Sequence, residues 1–119
     1  MATTMTRLIF LFIAISASGQ VLGDLAWVEG TVDQLLVDDR YYGTCMVKVA
    51  PGPEAILPSC ASNWVTFSCS GDFNSKSTGN LKFQSAQLAF LTGKKVAFYI
   101  DDSKKHNGYC FIQRLYVYQ

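Results

Sequence analysis

Hydrophobic and polar positions alternate along five segments of the chain, and that alternation predicts strands. The first, Trp27-Val28-Glu29-Gly30-Thr31-Val32, runs on through Leu35-Leu36-Val37 and stops at Asp38-Asp39-Arg40, a polar cluster suited to a turn. Its alternation breaks partway, which a bulge near Gly30 or Gln34 would explain. The second, Gly43 to Val49, sets Cys45, Val47 and Val49 on one side and Thr44, Met46 and Lys48 on the other, and ends at Pro51-Gly52-Pro53. The third, Trp64 to Cys69, sets Val65, Phe67 and Cys69 against Trp64, Thr66 and Ser68. In the fourth, Val96, Phe98 and Ile100 oppose Lys95, Ala97 and Tyr99. A polar loop, Asp101 to Gly108, carries Asn-Gly near its end and leads into the fifth, Tyr109 to Tyr118, where Gln113 interrupts the phase of Phe111, Leu115 and Val117.

One segment has the helical period. Leu81 to Thr92 places Leu81, Leu88 and Leu91 on a stripe that Phe83, Ala86 and Phe90 widen, with Asn80 as N-cap and Gly93 just past the end. Such a stripe predicts a helix lying against a hydrophobic surface. The order is strand, strand, strand, helix, strand, strand. That is a mainly β arrangement, the order of a five-stranded OB-like Greek-key barrel with one α-helix between strands 3 and 4. A plain antiparallel sheet with one packed helix is the alternative.

The first 23 residues read differently. Arg7 precedes an apolar run from Leu8 to Ala17, interrupted at Ser16, and small residues follow at Ala17-Ser18-Gly19 and Val21-Leu22-Gly23. This is the pattern of a secretory signal peptide, with Asp24 as the favoured mature start and Gln20 the other. The run is about half of the roughly twenty residues a membrane span needs. Residues 24–119 then form a single domain, secreted or periplasmic, with no membrane span once the signal is removed. A domain of that size has little stability to spare, so staples are expected.

All four cysteines, Cys45, Cys60, Cys69 and Cys110, lie in the exported part, where an oxidising compartment favours two disulfides. Three pairings are open. If the second and third strands form a hairpin, Cys45 and Cys69 come roughly opposite each other, leaving Cys60 to reach Cys110. Zinc is disfavoured because no two cysteines have the close spacing of a structural site.

Charge narrows the function classes. Without Arg7, nine basic residues face nine acidic ones, which gives no footprint for nucleic acid. No Asn has Ser or Thr two positions on, so no N-glycosylation signal is present. An enzyme would need a nucleophile with a base, a metal cluster or a carboxylate pair, and the sequence offers no such set. His106, the only histidine, lies in a charged loop and reads as a solvated residue; Asp38-Asp39 and Asp101-Asp102 read as turn formers at strand ends. No catalytic residue, metal or cofactor is therefore expected.

The aromatic residues are the better candidates for function. Trp64, Tyr99 and Tyr116 fall on the outward phase of their strands, and Tyr41 and Tyr42 occupy the connection between the first two. Such side chains stack on sugar rings, or they pack between protomers. Two functions follow: a non-catalytic glycan- or receptor-binding module, or an exported protein that binds or inhibits another protein.

The cysteine-bearing strand Gly43-Thr44-Cys45-Met46-Val47, the cysteine shortly before a tryptophan (Cys60 to Trp64), and the helix running into Leu91-Thr92-Gly93-Lys94-Lys95-Val96 resemble the small secreted B subunits of AB5-type toxins, in particular the subtilase-cytotoxin and pertussis-like group. The resemblance covers Gly30 to Tyr118. It implies an OB-fold protomer, a homo-oligomer that is a pentamer in that family, a host glycan or receptor as ligand, and a companion catalytic subunit. The chain departs from those subunits in being shorter after the fourth strand and in lacking their cysteine-rich C-terminal segment. Small exported OB-fold proteins outside the toxins are an equal relative.

Overall fold

A computed structural model describes residues 23–119. The signal-peptide reading of residues 1–23 falls, apart from Gly23, outside the described residues. The protein is mainly β: strands β1 (Leu25–Val37), β2 (Cys45–Ala50) and β3 (Trp64–Thr66), helix α1 (Lys76–Thr92), then strands β4 (Lys95–His106) and β5 (Tyr109–Tyr118). A single 3-10 turn, Pro53–Ala55, lies between β2 and β3.

The sheet runs β1-β2-β3-β5-β4, and β4 pairs again with β1, so it closes on itself. All of these pairs are antiparallel except β3 with β5, a short parallel seam at Thr66 and Phe111. The disulfide Cys60–Cys110 and the bond from Ala61 N–H to Gly108 C=O, 2.9 Å, tie the chain together beside that seam. The disulfide Cys45–Cys69 joins the start of β2 to the chain just after β3.

Of three register shifts, at Asp33, at Gln113 and between Asp101 and Lys105 of β4, the first two decide which side chains face inward. Between β1 and β2 the register shifts at Asp33, beside Gln34 where the broken alternation lay. Val28 and Val32 face the core before it and Leu35 after it, so Leu36 is turned outward. In β5 the extra residue is Gln113, since Tyr99 pairs with Arg114 and Ile100 with Ile112. Cys110 and Ile112 are therefore inward before the bulge, and Leu115 and Val117 after it. Phe111, which the sequence places in phase with Leu115, instead packs edge-on against Phe73, 5.5 Å away.

The core is filled by Val28, Val47, Val49, Val65, Phe67, Val96, Phe98, Ile100 and Ile112, each essentially without solvent contact. Among the described residues, no buried side-chain nitrogen or oxygen lacks a hydrogen-bond partner.

The helix differs from expectation in two ways. It begins a turn and a half earlier, because Ser75, not Asn80, is the N-cap: its hydroxyl accepts from Thr78 N–H at 3.1 Å. Gly93 ends it in the left-handed conformation, as its position predicts. The buried face is Gly79, Phe83, Ala86 and Ala89, while Leu81, Leu88 and Leu91 point to solvent. Close approach explains the choice: a Cβ on Gly79 would lie 3.0 Å from Cys69 Cα and Phe67 O, leaving no room there for a large side chain. Phe83 alone reaches the core aromatics, 5.7 Å from Phe67.

The strands differ at their ends. β3 stops at Thr66 because Ser68 turns to a positive φ of 52° and breaks the extended course. β4 runs on through the supposed loop to His106, and Asn107 and Gly108, both at positive φ, make the tight turn into β5.

Candidate functional site

The five aromatic candidates separate into two groups. Tyr41, Tyr42 and Trp64 lie at one end of the molecule and Tyr99 and Tyr116 on a different outer face. Along β5 the markers of the two groups, Tyr109 and Tyr116, are seven residues or roughly 23 Å apart.

Tyr42 and Trp64 of the first group line a concavity of about 210 Å³ together with Leu36, Met46 and Tyr109. Its parts come from four strands and the β1–β2 connection. The Asp33 bulge turns Leu36 out beside Met46, its partner in the β1–β2 register. Trp64 opens β3 opposite Lys48. Tyr109 follows the Asn107-Gly108 turn with Cys110 inward, so its ring is outward. Tyr42 comes from the β1–β2 connection, edge-on to Tyr109 at 5.5 Å and to Tyr41 at 4.8 Å. Tyr41 stands beyond the concavity, 64% exposed.

A polar network fixes the back of this connection. Thr66 Oγ1 donates to Tyr42 C=O at 2.7 Å, and Thr44 Oγ1 to Asp39 C=O at 2.5 Å. Gly43, at φ 79°, packs against His106 and Thr66 so tightly that a Cβ would meet His106 Cδ2 and Thr66 Oγ1 at 2.6 Å. No larger residue fits between them.

His106 is thus not the solvated loop residue its neighbours in sequence imply. Its side chain is 11% exposed, its Nε2 lies 2.9 Å from Ser68 Oγ and 3.8 Å from Asp72 Oδ2, and its ring packs 4.6 Å from Phe73. Burial lowers its pKa, Asp72 opposes that, and Arg40 reinforces it. Asp72 is held below the usual carboxylate range chiefly by the Ser70 hydroxyl, 2.6 Å away. The trio is a structural tie by its geometry. Ser68 is fully buried and accepts from Phe73 N–H, and both Ser68 and Asp72 approach the same ring nitrogen, leaving the other without the carboxylate a nucleophile relay uses.

The second group is built on the outer face of β1, β4 and β5. Trp27 pairs with Tyr99 in the register, and Tyr99 with Arg114. Trp27 stacks on Tyr116 at 5.3 Å and 16°, and lies 4.9 Å from Tyr99, over which Arg114 sits at 6.0 Å. Ala97 beneath them leaves a shallow concavity of about 390 Å³ bounded by Glu29, Tyr116, Val117 and Tyr118. The Tyr118 hydroxyl has its pKa raised by burial and by Glu29.

Sequence reasoning missed Leu36, Met46, Tyr109, Trp27 and Arg114. Alternation alone marks Tyr109, Trp27 and Met46 as outward; Leu36 and Arg114 needed the bulges. No family model, no curated protein and no solved structure matches the chain. Among the described residues no group of three or more His, Cys, Asp or Glu side chains comes together, and no helix is long and apolar enough to cross a membrane.

Proposed function

We propose that the chain is a secreted, non-catalytic binding module that holds a glycan or receptor group in the concavity of Tyr42, Trp64 and Tyr109. The observation that carries this reading is the convergence of three aromatic rings from the β1–β2 connection, β3 and β5 on one concavity, with Tyr41 at its rim. Rigid aromatic faces bind rings at low entropic cost, and two disulfides close to this end hold their backbone in place.

The self-closing five-stranded sheet and the helix between β3 and β4 support the finer reading of an OB-like Greek-key barrel. In that fold the loops and the outer face of the middle strands are where ligands bind, which fits the position of Trp64 and Tyr42. The kinship with AB5-type B subunits stays within this proposal, together with export to the periplasm or medium.

A glycan array tests it. The oxidised chain should be retained on a subset of glycans, and Trp64→Ala should weaken that binding by about thirtyfold, the loss of a roughly 2 kcal/mol anchor, with unchanged circular dichroism. Absence of retention for the wild-type chain would overturn the glycan reading.

A second reading rests on the Trp27 face. Leu25, Trp27 and Tyr116 are all exposed there, an amphipathic aromatic surface of the kind enriched at protein interfaces. It supports assembly of copies of the chain, or docking of one partner protein that the chain binds or inhibits. Sedimentation across concentration separates the two: assembly gives a mass that rises with concentration and is lost in Trp27→Ala, whereas a partner co-purifies with a chain that is monomeric alone.

A further inference from the structure

The bulge at Gln113 has a second effect besides restoring the inward phase of β5. Because the extra residue lies between Ile112 and Arg114, Gln113 and Arg114 are both exposed in succession, where a regular strand would turn one of them inward. Facing them across a cleft of about 270 Å³ are Leu81, Lys82 and Ser85 of α1, with Leu115 on the β5 side. The lining contains two cations, an amide and a hydroxyl, and no carboxylate.

Lys82 is the fixed member. Its Nζ donates to Asn74 Oδ1 at 2.9 Å and to Ile112 C=O at 3.1 Å, so the ammonium is anchored by two neutral acceptors and keeps one N–H unspent. It lies 4.8 Å from the centre of the Phe111 ring, with Lys104 5.9 Å from the same ring. Lys82 and Lys104 thus share the Phe111 ring, and Arg114 lines the same cleft as Lys82. Among the described residues the ion pairs are those of Asp72 with Arg40 and His106, so none of the three has a carboxylate partner. Partial burial and the Lys104 charge lower the pKa of Lys82, which is what an unmet anion would relieve.

We propose that the cleft between α1 and the β5 bulge binds an oxyanion, a phosphate or a carboxylate, borne on a short apolar group. Arg114 supplies a planar fork that takes two oxygens, Lys82 a point charge held in place, and Gln113 an amide donor. Leu81 and Leu115 flank these donors and receive the carbon attached to the anion. The site shares no residue with the Tyr42, Trp64 and Tyr109 concavity, so it stands or falls independently of the glycan reading, while Arg114 also borders the Trp27 face over Tyr99.

Amide NMR of the full oxidised chain tests it, with inorganic phosphate, butyl phosphate and butyrate titrated at constant ionic strength. The expected result is saturable shifts at Ser85, Gln113 and Arg114, tighter for butyl phosphate than for inorganic phosphate. Arg114→Gln should weaken them by about tenfold while Trp64 and Tyr42 resonances stay in place. Butyrate against butyl phosphate ranks the two oxyanions. Three results would overturn the proposal: no saturable shift with any of the probes, the same shifts with sodium chloride alone, or shifts that Arg114→Gln leaves unchanged. Lys104→Gln, which removes charge outside the cleft lining, should weaken binding less than Arg114→Gln; the reverse order would also contradict it.

Discussion

The Ser68 hydroxyl lies 2.9 Å from Nε2 of His106, a residue from the far end of β4. The pair joins the chain after β3 to the β4–β5 hairpin, and it stands directly behind Gly43 and the tyrosines of the candidate site. In the Nδ1–H tautomer of the neutral ring Ser68 O–H donates to Nε2, whereas in the Nε2–H tautomer and in the charged ring Nε2–H donates to Ser68 Oγ. Burial is the main reason His106 holds its proton less tightly than the ordinary value of 6.5. The unfolded chain therefore binds the proton more readily, and acid favours unfolding. This contribution is complete above about pH 6.5 and is lost as pH falls through the lower value the folded ring has. Asp72, whose carboxyl is depressed, loses stability in the same direction further into acid. The urea midpoint should accordingly fall as pH is lowered below about 6.5, and His106→Gln should flatten that fall.

Gly43→Ala should be among the more damaging single changes. It combines a positive φ of 79° with a Cβ 2.6 Å from both His106 and Thr66. A loss of about 2 to 4 kcal/mol is expected, read from the urea midpoint at neutral pH. An alanine variant as stable as wild type would show that the Tyr41–Thr44 connection is not pinned from behind.

The two disulfides should be unequal. Cys45 and Cys69 are 24 residues apart and Cys60 and Cys110 are 50 apart, so the second closes the longer loop of the unfolded chain. Removing each by paired Cys→Ala substitution should cost about 3 to 4 kcal/mol, more for Cys60–Cys110. Thermal unfolding of the two variants side by side checks the order. The Cys60–Cys110 variant should also loosen the thin β3–β5 seam, seen as faster amide exchange at Thr66 and Phe111.

How far the sequence carried can be traced to particular residues. Alternation located β2, β3 and the first half of β4 because the core-facing set of each is apolar at a spacing of two, although Met46, Thr66 and Ala97 on the opposite side are buried as well. The second half of β4, Asp101 to His106, is polar and leaves no such mark, although the Asn107-Gly108 turn behind it was legible. The helix was found, but its inward face was misjudged. Leucine spacing points to Leu81, Leu88 and Leu91, whereas the sheet admits the helix only where Gly79, Ala86 and Ala89 are small. Packing distance, which the sequence does not display, overrode hydrophobicity. The aromatic candidates were outward as expected, yet their division into two sites depends on register shifts at Asp33 and Gln113 that alternation could only locate roughly.

The two tryptophans fall one in each aromatic group, so Trp27→Phe leaves Trp64 as the sole indole. Fluorescence of that variant, titrated with glycans the array retains, tests the ligand concavity most directly. The account predicts a saturable change in Trp64 emission that follows the same binding curve as retention. Undiminished glycan binding with no change in Trp64 emission would place the ligand elsewhere and contradict it.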